Sequence, residues 1–316
     1  MDQQLLSSRA IVGRYFARLE TNPGLAWVDA VSNLFTSDQR IETYAFLGQS
    51  PKMQEWVGGR QPKGLRVSSF NIANVQYEAT LEIDRRDARL DKTGQIMARV
   101  DEFADRALTH WASLLSTLLL NGTSTACYDG QYFFDTDHSE GDSGTQDNDI
   151  TVDISALPAA VHGVVTAPSV EEMQQAILKG IAQILSFKDD QGEPMNENAQ
   201  EFTVIVPTSL YLVAAAAVSA ITTSSLQQNL NANVIAGMKV NIQMNPRLTW
   251  TDSFAIFRTD SPVKGFIRQS EQDLELNVIG EGSEHTIKNK TWLFTVDTWR
   301  NVGYGYWQRA CYVTMI

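Results

Sequence analysis

The sequence predicts an α+β protein, because two contrasting periodicities occupy separate parts of the chain. The segment VQYEATLEID, residues 75–84, alternates apolar and polar side chains, which is typical of a half-buried strand. Residues 93–121 instead carry apolar side chains at every third or fourth position, which predicts a long amphipathic helix. Apolar and alternating segments after residue 253 predict that several strands close the chain.

The charge of the chain argues against tight binding to nucleic acid. The 316 residues include 37 acidic and 25 basic side chains, which gives a net charge of −12. Proteins that grip a phosphate backbone use clustered Lys and Arg. Residues 107–178 contain no Lys or Arg at all. We interpret this segment as a solvated acidic surface; a face that repels a polyanion or meets a basic partner is the alternative.

Cysteine content and hydropathy indicate the kind of compartment in which the protein resides. Cys127 and Cys311 lie far apart in the sequence, which excludes a disulfide framework and indicates a reducing compartment. The first twenty residues lack the basic and apolar layout of an export signal. The longest apolar run, residues 211–220, is too short to cross a bilayer. We therefore expect no membrane association.

The N-terminal region is expected to reach toward other molecules. Ile11, Tyr15, Phe16 and Leu19 have helical spacing and predict a short docking helix, whereas the rest of residues 1–57 is expected to be mostly irregular. We expect this region to contact neighbouring subunits more than its own body, since a Gly- and Pro-rich arm has little core of its own.

A long hairpin is predicted next, with GLRVSSFNI as the partner of residues 75–84. The chain offers no obvious local cover for its apolar face, and an isolated two-stranded ribbon is marginal in water. We therefore expect that face, and the charged residues after it, to contact an adjacent subunit. The candidate contact residues are Val75, Tyr77, Leu81, Ile83, Arg85, Arg86 and Arg89; Ala79 lies on the same face.

Two helices have clear signatures. In the long helix, ending at Asn121-Gly122, we expect Phe103, Ala107, Trp111 and Leu114 to face a sheet. A second helix begins at Ser169 and Glu172, which have capping-box spacing. A buried strand at residues 201–207 and a helix from about 207 to 220 follow.

The segment ACYDGQYFFDTDHSEGD, residues 126–142, is the strongest candidate for chemistry. A metal-dependent hydrolase using Asp129, Asp137 and His138 is one interpretation, and a nucleophilic pair of Cys127 and His138 is another. The chain has no CxxC or HExxH motif, and these acids do not fit a calcium loop. A turn at Asp129-Gly130 that leads into a short aromatic strand explains the segment better. We expect no catalytic residue, no metal and no cofactor.

Three stretches resemble the major head subunits of Mu-like tailed phages and prophages, the gpT family. They are EWVGGRQPKGL at residues 55–65, IANVQYEATLEIDRRD at 72–87 and ACYDGQYFFDTDH at 126–138. One departure is ARLDKTG at residues 88–94, where the family pattern leads us to expect a paired acidic DD before the glycine.

This resemblance implies a capsid fold of the Hong Kong 97 type (HK97-type). It implies an N-terminal arm at residues 1–57, an extended-loop (E-loop) hairpin at 58–92, and a peripheral P-domain at 93–164 with a spine helix at 93–121. It also implies an axial A-domain at residues 165–262 and P-domain strands that return at 263–316.

The function implied by the resemblance is structural rather than enzymatic. Copies of the chain would form the hexamers and pentamers of an icosahedral head, with scaffold, portal and decoration proteins as partners. Packaged DNA would contact the acidic lumen weakly. The protein would belong to the virion and assemble in the bacterial host cytoplasm. An encapsulin-like nanocompartment shell and a tail or baseplate component are alternatives.

Overall fold

The computed structural model describes residues 7–22, 24–47, 67–91, 93–158, 160–224, 234–235 and 238–316. Within these ranges the chain forms a six-stranded sheet, a four-stranded sheet and a two-stranded ribbon, with helices packed on the two larger sheets. The predicted α+β class is confirmed.

The elements follow the order that the periodicities predict. The first group is α1 (Ser8–Thr21), α2 (Ala26–Val31), β1 (Ser32–Thr36), β2 (Ile41–Leu47), β3 (Val67–Ala73), β4 (Val75–Asp84), α3 (Arg85–Leu90), α4 (Gln95–Leu120) and β5 (Asp149–Val152). The second group is α5 (Val170–Ser186), β6 (Glu201–Val206), α6 (Tyr211–Ser224), β7 (Val234–Ile235), β8 (Met238–Met244), β9 (Ser253–Arg258), β10 (Phe266–Ile279), α7 (Glu284–Asn289), β11 (Thr291–Tyr304) and β12 (Ala310–Met315). Among the helices described, none is both long and apolar enough to span a bilayer.

The six-stranded sheet supports the larger of the apolar cores. Its strands lie in the order β5-β12-β9-β6-β8-β7, and β6 and β9 are buried along almost their whole length. Helix α5 packs closely on β9 and β12 because residue 180 is glycine. A Cβ atom there would lie 2.5 Å from Ile256 Cδ1 and 2.9 Å from Val313 Cγ2.

The four-stranded sheet carries a second core, beneath α1 and α4. Its strands lie in the order β1-β10-β11-β4, so that β4 forms one edge. The buried apolar residues of this core come from both helices, from α3 and from β4 and β11. They are Ile11, Tyr15, Ile83, Ala88, Val100, Ala104, Trp292, Phe294 and Val296.

The predicted pairing of the hairpin strands is wrong. Strand β3 pairs antiparallel with β2, whereas β4 pairs antiparallel with β11 over the whole of its length. A single residue, Asn74, separates β3 from β4, and a hairpin turn needs at least two residues. The Asn74 amide donates to Ser37 Oγ at 2.9 Å and to the Gln39 carbonyl at 2.8 Å, which fixes the change of direction.

The N-terminal region is more regular than expected, and its first helix docks on the same chain. The predicted short helix is present as α1, but most of residues 24–47 also form helix or strand. Ile11 and Tyr15 are buried, and Arg14 and Arg18 pair with Asp101 and Asp105 of α4. The expectation of a mostly irregular arm is therefore wrong for the described residues.

Helix α4 confirms the predicted long helix, but its buried face differs from the predicted one. The most buried residues are Val100, Ala104, Ala112, Leu115, Ser116 and Leu119. Phe103, Ala107, Trp111 and Leu114 are partly buried instead. The first half of α4 packs on the core of the four-stranded sheet and the second half on the core of the six-stranded sheet. The buried face therefore shifts around the helix between the two contacts.

Helix α5 begins at the predicted capping box, where one buried carboxylate organises the preceding turn. Glu172 Oε1 accepts the backbone N–H groups of Val161, His162 and Gly163 at 2.7–2.8 Å, and Oε2 accepts that of Ser169 at 2.8 Å. Burial alone would raise the pKa of Glu172, but these four donors outweigh it and lower that pKa to about 2.

Truncating a fully buried side chain of α4 tests the assignment of its core-facing side. We expect Leu115→Ala to lower the free energy of unfolding by about 2–5 kcal/mol, because Leu115 has no exposed surface and the truncation leaves a cavity. Urea unfolding followed by circular dichroism measures the change. Thr117→Ala, at an exposed position of the same helix, is the matched control. Equal stability of the two variants would contradict the assignment.

The pKa of Glu172 predicts a specific pH dependence of stability. Because its folded pKa lies below the usual value, the carboxylate stabilises the fold fully above about pH 4.5. That contribution is lost as the pH falls toward about 2. We expect Glu172→Gln to destabilise the protein by about 1–3 kcal/mol at pH 7, and the gap from wild type to narrow at pH 3. Urea unfolding at both pH values measures this gap. A Glu171→Gln control, at the exposed neighbouring position, should show no such gap.

Candidate assembly surface and buried polar cluster

A groove lies between the edge strand β4 and the stretch of α4 from Arg99 to His110. Its volume is about 520 Å³. Ala79 and Leu81 of β4 line one side and Phe103 of α4 the other, while Leu274 and Val296 line its floor. The groove therefore offers a mainly apolar surface beside an edge strand.

The apolar contact candidates do not all lie in this groove. Tyr77 and Leu81 line it and are partly buried, and Val75 is 40% exposed at the start of β4. Ile83 is only 6% exposed, because it packs in the core beneath α1 and α4. Ile83 therefore cannot contribute appreciably to a contact with another subunit, and its assignment as a contact residue is corrected. The apolar face of β4 is partly covered by its own chain.

The charged contact candidates lie together on α3, immediately after β4. The side chains of Arg85, Arg86 and Arg89 are all exposed. Helix α3 begins where Asp84 Oδ1 accepts the backbone N–H of Arg86 at 2.6 Å. A short capped helix thus presents three guanidinium groups to solvent. Whether these residues contact a neighbour stays a prediction.

Arg300 is the unexpected residue of the groove. It extends from β11 and is 3% exposed, and its guanidinium lies 4.9 Å from the centre of the Trp111 ring. Within the described part of the chain its side chain forms no hydrogen bond, and no carboxylate oxygen lies within 4.0 Å. Burial lowers the pKa of Arg300 to about 10. Arg300 also lines a second cavity of about 210 Å³.

The neighbours of Arg300 do not neutralise its charge. Arg268 also contacts Trp111, with its guanidinium 5.6 Å from the centre of the ring. Arg268 forms an ion pair with Asp29. His110 meets Tyr77 edge to face, with 4.5 Å between ring centres. Burial lowers the pKa of His110 to about 4, so this imidazole is neutral at pH 7. The buried cation Arg268 has a counter-ion, whereas Arg300 has none among the residues that the structure describes.

The alternation of side chains along β11 indicates that Arg300 is buried. Trp292, Phe294, Val296, Thr298 and Arg300 alternate along β11, and all five are buried on one face of the strand. Period two therefore points Arg300 into the protein. The alternation predicts the strand, but an inward arginine becomes notable only once its neighbours in the fold are known.

The segment 126–138 forms a buried hydrogen-bonded cluster. Asp129 Oδ1 accepts the Cys127 thiol at 2.9 Å, and Asp129 Oδ2 lies 2.7 Å from His138 Nδ1. The His138 ring stacks on Trp307 with ring centres 4.0 Å apart. Gly130 adopts φ +92°, a left-handed conformation that makes the predicted turn possible. Phe133 and Phe134 are buried, but an isolated bridge between Ala126 and Tyr132 replaces the predicted aromatic strand.

The chemistry of this cluster favours a structural role. Burial first, and then the Asp129 carboxylate, raise the pKa of Cys127 well above its usual range, so the thiol stays protonated. Thiolate, carboxylate and imidazole are zinc ligands, and the three donor atoms lie within 4.8 Å of one another. In this structure, however, the two carboxylate oxygens of Asp129 are already engaged, one by the Cys127 thiol and the other by His138 Nδ1. Asp137 is exposed and accepts from Gln131 Nε2 at 2.6 Å, so the predicted hydrolase set does not converge.

Comparison with known families gives a match across both sheets. The family model of the Mu-like prophage major head subunit gpT matches residues 15–156 and 237–315, which is more than half of the chain. The first range contains β4 and α4, and the second contains β8–β12.

Two curated relatives agree with this match. Over 111 residues the chain is 36% identical to the Mu-like prophage FluMu major head subunit of Haemophilus influenzae, covering 35% of this chain and 36% of the relative. Over 108 residues it is 34% identical to the major capsid protein of Escherichia phage Mu, covering 34% of this chain and 35% of the relative. The matched stretches thus span about a third of each relative.

Among solved structures, the fold is similar to a chain in the procapsid of bacteriophage JBD30. The TM-score is 0.54 at 20% sequence identity, and the match covers 97% of this chain and 73% of that chain. At this identity the similarity concerns the fold alone, and it confirms the predicted HK97-type capsid fold.

Proposed function

Because the chain belongs to the family of Mu-like prophage major head subunits, we propose that it is the repeating subunit of an icosahedral head shell that encloses double-stranded DNA. The curated relatives are a head subunit and a capsid protein, in agreement with the expectation that the chain is not an enzyme. The observation that carries the proposal is the family match, which covers α4, the whole four-stranded sheet and four of the six strands of the other sheet.

Self-assembly requires surfaces that the subunit does not cover itself. Within the ranges that the structure describes, the groove beside β4 and the unpaired edge of that strand are such surfaces. A shell also needs contacts between different patches on successive copies, which close into rings of five and six. We assign Val75, Tyr77 and Leu81 to an apolar contact and Arg85, Arg86 and Arg89 to a charged one with an adjacent copy.

The domain organisation expected from the resemblance stays a proposal, with one adjustment. We propose an N-terminal arm at 1–40, an E-loop at 41–73, a P-domain at 74–164 and 263–316, and an A-domain at 165–262. The paired strands β2 and β3, rather than β3 and β4, are the ribbon of the extended loop. Strand β4 belongs with the P-domain sheet because it pairs with β11.

Other partners follow from the role of a head shell. Scaffold, portal and decoration proteins would bind the assembled copies, and the virion would form in the host cytoplasm. The net charge of −12 suits a wall that packaged DNA touches weakly, since tight phosphate contacts would hinder its entry.

The alternatives differ in what the assembled particle contains or how it closes. A nanocompartment shell would enclose protein cargo instead of DNA, and a tail component would form tubes or isolated rings. The hydrolase alternative loses support, because Asp137 lies apart from Asp129 and His138 and the family consists of structural subunits.

Electron microscopy of the expressed protein tests the proposed function directly. We expect negative-stain images to show closed icosahedral shells, or rings of five and six subunits that close as the protein concentration rises. Nucleic acid extraction from particles formed in infected cells separates a head from a nanocompartment. A protein that stays monomeric at every concentration, or forms only tubes, would contradict the proposal.

Reversing the charge of α3 tests the charged contact. We expect replacement of Arg85 and Arg86 by Glu to lower the yield of shells several-fold at low ionic strength, because each pair with a neighbour would become repulsive. The defect should shrink at high salt, which screens exposed charges. Light scattering and microscopy measure the yield.

A matched variant separates this contact from a general effect of charge. Arg9 and Arg40 are also exposed, and replacing both by Glu changes the net charge equally. We expect this control to assemble like wild type. Equal yields from the two double variants at every ionic strength would show that Arg85 and Arg86 are merely solvated.

A further inference from the structure

The groove beside β4 contains a buried positive charge that the described part of the chain leaves without an acceptor. Arg300 is 3% exposed, and its Nε atom is buried without a hydrogen-bond partner. A buried cation is strongly disfavoured unless an anion or several acceptors compensate it. The Trp111 ring offers a cation–π contact, but an aromatic face accepts no conventional hydrogen bond.

The surroundings of Arg300 define what would satisfy it. Ala79, Leu81, Phe103 and Val296 make the groove mainly apolar. At its rim, Arg99 and Arg106 are exposed and both bind Glu102, so their charges are already compensated. Among the described residues that line this mainly apolar groove, Arg300 is the cation that lacks a counter-ion. An apolar group that ends in one carboxylate matches this arrangement, because a guanidinium binds a carboxylate through two parallel hydrogen bonds.

We propose that the groove binds an apolar, carboxylate-bearing segment of a second copy of this chain, and that Arg300 is the residue that holds the carboxylate. This inference rests on the proposed function, in which copies of the chain are neighbours in a shell. It adds the chemistry of one contact: an acidic side chain of one subunit enters the groove of the next.

Charge and position favour a second copy as the occupant. The chain has 37 acidic residues against 25 basic ones, so its own surface is rich in suitable carboxylates. The groove also adjoins the open edge of β4, where a neighbouring segment could continue the contact. A phosphate group fits less well, since recognition of its larger charge draws on several cations.

A cross-link that forms only next to a carboxylate tests the proposal. In Arg300→Lys, an amine replaces the guanidinium, and a water-soluble carbodiimide couples amines to carboxyl groups in contact as an amide, with loss of one water. We expect assembled shells of this variant to yield an amide between the new amine at position 300 and a carboxyl group of another subunit, located by mass spectrometry. Shells formed from mixed ¹⁵N-labelled and unlabelled protein would show linked peptides that combine both isotopes.

Two outcomes of this experiment would overturn the proposal. One is a link within a single subunit, above all to Asp273, the acid that acts electrostatically on Arg300 from beyond ion-pair distance. The other is an absence of any link at position 300 in intact shells. Arg106→Lys is the control for the chemistry, because Arg106 lies 2.6 Å from Glu102 and should give a link within one subunit.

A second measurement examines whether the groove is filled. Cys127 and Cys311 are buried, so a cysteine introduced at exposed Ala79 would be the main site of thiol labelling. We expect Ala79→Cys to react roughly tenfold more slowly in shells than in dissociated subunits, because a reagent reaches an occupied site only when it opens. Glu82→Cys, exposed on β4 outside the groove, is the control.

These experiments separate the inference from the proposed function. If shells form but Ala79→Cys reacts equally fast before and after assembly, the groove is empty and the inference fails while the shell assignment stands. If the wild-type protein forms no shells or rings, the proposed function itself fails.

Discussion

The packing of α4 against two separate cores is the constraint on which the rest of the structure depends. Its first half covers the four-stranded sheet, and its second half closes the core of the six-stranded sheet. One continuous helix therefore fixes the relative position of both sheets. Ala112, Leu115 and Leu119 belong to one core and Val100 and Ala104 to the other. The apolar residues of α4 that face one core cannot also face the other. Each of the two packing contacts therefore buries only part of the apolar stripe of the helix.

The groove beside β4 is a consequence of that division. Helix α4 leaves an open space beside β4 along the stretch from Arg99 to His110, and the small side chain of Ala107 lies next to both cavities. Trp111 follows one turn later and contacts the guanidinium groups of Arg268 and Arg300. Arg268 is neutralised by Asp29, whereas Arg300 has no such partner in the described ranges. The same geometry that joins the two cores thus leaves an uncompensated cation beneath the helix.

Periodicity predicted the elements well but not their partners. The alternation of residues 75–84 and the capping box at Ser169 and Glu172 correspond to β4 and α5. The pairing of β4 with β11 joins residues more than 200 positions apart, and no local pattern specifies such a partner. The position of α1 on α4 depends on the burial of Ile11 and Tyr15 against residues of α4 that are distant in sequence, and the pairs of Arg14 with Asp101 and Arg18 with Asp105 lie beside that contact.

The buried polar cluster and the groove were also predictable only where local sequence determines the structure. The turn at Asp129-Gly130 follows from local sequence, and the stacking of His138 on Trp307 does not. The unpaired state of Arg300 depends on which acids the fold brings near it. A sequence pattern can show that a side chain points inward, but the absence of a counter-ion emerges only when the chain is folded.

Strand β4 is an edge strand among the described residues, and this edge bears on the symmetry of association. Its outward side chains include Glu78, Glu82 and Asp84, all exposed. If two copies joined edge to edge about a twofold axis centred on Thr80, Glu78 of each would lie opposite Glu82 of the other, and like charges placed directly across a strand pair repel. An isologous dimer in this register is therefore disfavoured, whereas a heterologous contact, which uses a different surface on the second molecule, escapes the repulsion. Heterologous contacts propagate until a ring closes, so this repulsion favours cyclic association over a dimer paired in that register.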